Sequence, residues 1–107
     1  MTDEQIANLK QAHPDAELLC QHFDALDIDV VFKVPSEGDW KRFVTDAQDG
    51  GAKRMAAVRV VVLNHVVFPD KNEFAELVAR KPAIVGNIFG EIADAAGVSL
   101  ESTVRKL

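Results

Sequence analysis

Cys20 and His22 stand two residues apart in "LLCQHF". On a strand that spacing puts a thiol and an imidazole on one side, the first requirement of a cysteine nucleophile. The rest of that machinery is missing, because nothing nearby supplies an oxyanion site or an acid to orient the imidazole. Asp24, Asp27 and Asp29 follow with the spacing of calcium ligands. A calcium-binding loop needs Gly at its sixth position and Glu at its twelfth, and those places hold Asp29 and Pro35. The turn reads as solvated acid. Gly50-Gly51-Ala52-Lys53-Arg54 has the small residues and the cations of a phosphate loop without its GxxxxGK[ST] order, and it follows a helical pattern where a strand is required. His13, His22 and His65 are too far apart for local metal-ligand spacing, and no CxxC or HExxH occurs. These residues predict no enzyme, no metal and no cofactor.

One pattern does stand out. Ala83, Gly86, Gly90, Ala93 and Gly97 are spaced 3, 4, 3 and 4, which lays the smallest residues along one side of a helix. Ile84, Ile88, Phe89 and Ile92 run beside them as a large apolar face. A glycine inside a helix costs about 1 kcal/mol relative to alanine, and close approach of another backbone is a physical reason to carry that cost. Two readings follow: a neighbouring helix of the same domain, or a partner docking on Ala83, Gly86, Gly90 and Ala93. The second makes these four residues the candidate partner-binding site.

The elements that would position this stripe are legible to different degrees. "TDEQIANLKQAHP" predicts a short helix with Thr2 as cap and Gln5 at capping-box spacing, stopped by His13-Pro14. Ile28, Val30, Phe32 and Val34 alternate with Asp29, Val31 and Lys33 as in a half-buried strand, and residues 16–23 can pair with them across Asp24 to Asp27. Ser36 caps a helix carrying Trp40, Phe43, Val44 and Ala47 on one face, and Asp49-Gly50-Gly51 ends it. "KRMAAVRVVVLNHVVF" exceeds an ordinary strand. It predicts a buried helix with Met55, Val58, Val62 and Val66 inward, flanked by Ala56, Val60, Leu63 and Val67. Asp70 with Glu73 opens a further helix with Phe74, Leu77 and Val78 inward, and Lys81-Pro82 separates it from the last, about 83–96, closed by Gly97. The expected fold is α+β and mostly α, about five helices with one short β-hairpin near the N-terminal third. It is expected to form a single domain over 1–107, with 97–107 as a polar tail.

Charge narrows the partners. Residues 1–50 hold eleven acids and four bases, a net of −7, whereas residues 51–107 hold six acids and eight bases, a net of +2. An acidic first half argues against nucleic acid, which favours a basic face. The most apolar run, 55–68, is interrupted by Arg59 and Asn64-His65, short of the roughly 18 residues of a membrane span. Met1 to Lys10 is too polar for a signal peptide, and the lone Cys20 suits a reducing compartment.

Three stretches together carry a family resemblance. Val34-Pro35-Ser36 leads into Trp40-Lys41-Arg42-Phe43, Val66-Val67-Phe68-Pro69-Asp70 closes the hydrophobic run, and two helices split by Pro82 end at Gly97. Over roughly Asp29 to Gly97 this arrangement resembles the small tail assembly chaperones of long-tailed bacteriophages. The resemblance implies a non-catalytic protein that binds the tape measure protein and helps the major tail protein polymerise around it. It further implies residence in the host cytoplasm, absence from the mature virion and, in many members, a longer frameshifted product. Self-association is left open. Two other readings stand beside it: a virion part such as a head–tail connector or tail-completion protein, and a small acidic regulator or inhibitor.

Overall fold

The computed structural model describes residues 1–97 and 104–106. The expected tail falls largely on residues 98–103 and 107, outside the described residues; Val104 to Lys106 are exposed and in no regular element. Among the described residues the order is α1 (Asp3–Ala12), β1 (Leu18–Phe23), β2 (Ile28–Lys33), α2 (Glu37–Ala47), α3 (Gly51–His65), β3 (Val66–Phe68), α4 (Lys71–Arg80) and α5 (Ile84–Ala95). The fold is α+β and mostly α, with the hairpin where the alternation placed it.

Local chemistry explains most boundaries. Thr2 accepts from the Gln5 amide while the Gln5 side chain accepts from the Thr2 amide, so both halves of the capping box form. The Ser36 and Asp70 side chains accept from the amides of Asp39 and Glu73, capping α2 and α4. Asp27 turns the hairpin at φ 49°, a left-handed conformation that Asp tolerates better than most residues. Gly50 and Gly51, at φ 68° and 55°, reverse the chain between α2 and α3, where a side chain would be strained.

The apolar run after Gly51 departs from expectation. It is not one helix through Val67. The helix ends at His65, and Val66–Phe68 forms a third strand antiparallel to β2, pairing Phe68 with Val31 and Val66 with Phe32. Two forces favour this outcome. Pro69 disfavours helical backbone at Phe68. The second edge of β2 also carries backbone groups that need partners once Val30, Val31 and Phe32 are buried. The inward face of α3 is different too. Ala57, Val61, Val62 and His65 are buried with Val58 partly so, whereas Met55 is 75% exposed and Val60 52%. Val44, expected inward on α2, is 53% exposed, while Phe43 and Ala47 are buried as expected.

The sheet order β1-β2-β3 puts β2 in the centre. Val30 and Phe32 face α2 to α5 and join one core with Phe43, Val62, Phe74, Leu77, Val78, Ile84, Ile88 and Ile92. Val30, Val62, Ile88 and Ile92 are completely enclosed. Each contributes about 1.5–3 kcal/mol by burial. Val31 points the other way, toward α1, which has no buried residue of its own. A cavity of about 290 Å³ lies between Ile6 and Leu9 of α1 and Leu18, Leu19, Cys20 and Val31 of the hairpin.

Candidate functional site

The residues with potential chemistry fall into two separate polar clusters. In the hairpin, Asp29 receives two contacts at 2.7 Å, one from the Met1 ammonium and one from His22 Nδ1. The Asp29 carboxyl is held below its ordinary value, first by the hydrogen bond from the amine and then by that from His22. The His22 imidazole is raised, chiefly by its hydrogen bond to Asp29, with Asp24 and Asp27 adding to the field from 3.5 and 3.7 Å. The acidic turn thus favours the protonated form of His22. Cys20 stands on the same face of β1, as the spacing predicts, yet burial and the Asp29 charge push its thiol up and disfavour the thiolate. Asp29 does supply an acid that orients the imidazole, contrary to the expectation from sequence, but the raised thiol still disfavours a thiol–imidazole nucleophile.

The second cluster was missed by sequence reading. His65 is 5% exposed at the end of α3, with Nδ1 2.7 Å from the Val61 carbonyl and Nε2 3.3 Å from Asp39 Oδ2. It fastens α3 to the start of α2. The Asp39 carboxyl is lowered, first by the Ser36 hydrogen bond and further by the His65 charge. The only sequence signal was a histidine within an apolar run, which reads equally well as an interruption. No group of three or more His, Cys, Asp or Glu placed to hold a metal ion occurs among the described residues.

The small-residue stripe lies on the outer side of α5. Ala83, Gly86 and Gly90 are exposed, Ala93 is half-buried, and Gly97 follows the helix at φ 97°. A Cβ built on Gly86 or Gly90 meets nothing within 4 Å. No element among the described residues packs against either glycine, so the same-domain reading of their spacing fails at both there. The apolar face beside the stripe turns inward: Ile84, Ile88 and Ile92 are buried, and Phe89 stacks near Trp40 and Phe43 with centroids 6.4 and 5.0 Å away.

Of the four, Gly86 lines a groove between two helices. A groove of about 480 Å³ runs between α3 and α5, with Val58 and Val85 beneath, Met55, Ala56, Pro82 and Gly86 along its sides, and Arg54 and Arg59 at its rim. Sequence reading had placed Met55 and Val58 in the core, which hid their role in lining this surface. Gly90 and Ala93 do not line it.

No family model and no curated protein matches the chain. A solved structure does: the uncharacterised protein rbstp2171 from Bacillus stearothermophilus, with a TM-score of 0.77 over 94% of this chain and 99% of that one, at 16% identity. At that identity the likeness concerns the fold alone. The same arrangement of helices about a small sheet therefore forms from a largely different sequence, as expected when burial pattern and turn chemistry specify the architecture.

Proposed function

We propose that the protein is a non-catalytic assembly chaperone of a long-tailed bacteriophage, which binds the tape measure protein while the major tail protein polymerises around it. In this reading it works in the host cytoplasm and is left out of the finished particle. The observation that carries the proposal is apolar surface in the wrong place for a chain that keeps to itself. Met55, Val60 and Val44 are half or more exposed on α3 and α2, and the α3–α5 groove opens beside Met55. The apolar lining of that groove, with Met55 at its side, suits the docking of a partner's apolar face. The polar clusters point the same way, since both His22 and His65 are engaged by carboxylates and the lone thiol is poorly activated. The motif resemblance supplies the identity of the partner, a long helical rod that presents apolar faces until its shell forms. No helix among the described residues is long and apolar enough to cross a membrane.

The test is co-expression of the chain with the tape measure protein of the same genome, followed by affinity capture and size-exclusion chromatography. The expected result is a soluble complex, with the tape measure protein insoluble when expressed alone. A chain that elutes by itself while the tape measure protein precipitates, or one that persists in purified particles, overturns the reading.

A further inference from the structure

The charge around the α3–α5 groove identifies the kind of helix that fits it. α3 contains no carboxylate anywhere between Gly51 and His65, and none of the residues lining the groove is acidic. Its rim carries Arg54 and Arg59, both exposed, and neither forms an ion pair among the described residues. Lys53 differs, because Asp49 holds it at 3.2 Å. In a chain of net charge −5, this patch has apolar lining and a cationic edge with no ion-pair partner among the described residues. Met55, at 75% exposure, stands on one side, and Gly86 on the other leaves its backbone bare for close approach.

The geometry points to an acidic amphipathic helix as the occupant of this groove. Its apolar side chains, at i, i+3, i+4 and i+7, lie on Val58, Val85 and Met55, and its flanking Asp and Glu residues meet Arg54 and Arg59. The inference rests on the docking role proposed above and adds the sign of the partner's charge. Because both arginines are solvated, the ion pairs select among helices more than they add affinity, and they weaken as salt rises.

The test uses the full chain and two labelled synthetic helical peptides with identical Leu anchors, one flanked by Glu and one by Lys, titrated by fluorescence anisotropy. The acidic peptide is expected to bind about tenfold more tightly at low salt, a preference that shrinks at high salt. Met55→Glu is expected to remove its binding, and Arg54→Glu with Arg59→Glu to reverse the preference, with circular dichroism unchanged because all three positions are exposed. Equal binding of the two peptides, no binding of either, or full binding by Met55→Glu overturns the inference. So does concentration-dependent self-association abolished by Met55→Glu, which would make a second copy the occupant. Neither peptide contains tape measure sequence, so the two proposals fail separately. Peptide failure with a co-purifying tape measure protein removes only the groove chemistry, and the converse removes only the assembly role.

Discussion

Replacing Gly90 by alanine should stabilise the protein, and replacing Gly50 by alanine should do the opposite. A Cβ at either position meets nothing within 4 Å, so sterics against the rest of the chain do not separate them. Backbone conformation does. Gly90 lies inside α5, where alanine is favoured over glycine by about 1 kcal/mol. Gly86 lies in the first turn, where about 0.5–1 kcal/mol is expected. Gly50 sits at φ 68° and ψ −165°, a region essentially restricted to glycine, where a Cβ costs about 1–3 kcal/mol. For a chain of this size, 1 kcal/mol shifts the melting temperature by about 4 °C. Gly86→Ala with Gly90→Ala should therefore raise it by roughly 6–8 °C, and Gly50→Ala should lower it by about 4–12 °C. Urea titration with an unchanged m-value, read alongside calorimetry, checks both signs. Destabilisation by Gly90→Ala would refute the reasoning, since it would mean that α5 has a close neighbour at that point. Binding then separates the two helix positions. Gly86 lines the groove, so Gly86→Ala should weaken a docked helix while adding stability, whereas Gly90→Ala should leave docking intact. Such a split would show a glycine retained for contact at the expense of stability.

Two further outcomes follow from the core and from the hairpin. Ile88→Ala, at a completely enclosed site, should cost about 2–5 kcal/mol in chemical denaturation, and a loss below about 1 kcal/mol would mean that the α5 face is not packed as described. The His22 imidazole should titrate above its ordinary value by NMR and return toward it in Asp29→Asn, because the Asp29 hydrogen bond is the largest cause of the shift. Its contribution to stability is fully present below about pH 6.5 and is lost as pH rises through the raised value. The Asp29 contribution runs the other way, present above the ordinary carboxylate range and lost as pH falls through its lowered value.

The sequence by itself determined the punctuation of the fold. Thr2, Ser36 and Asp70 are caps because their side chains reach amides three residues on, and Pro82 and the Gly50-Gly51 pair stop helices through local geometry. These are short-range effects, readable without knowing what lies across the molecule. The inward face of α4 was legible for a related reason, since it carries one apolar stripe that admits one orientation, whereas on α5 the apolar face and the small-residue stripe run side by side and left core and docking side open. α3 has apolar residues all round, so no local rule says which side is buried or where helix gives way to strand. That choice belongs to β2, whose free edge takes up Val66–Phe68, and to α5, whose isoleucines share the core with Ala57, Val61 and Val62 and leave Met55 outside. The candidate groove shares that origin. Its lining comes from two helices far apart in the chain, and the exposure of Met55 is a property of their packing rather than of the residue.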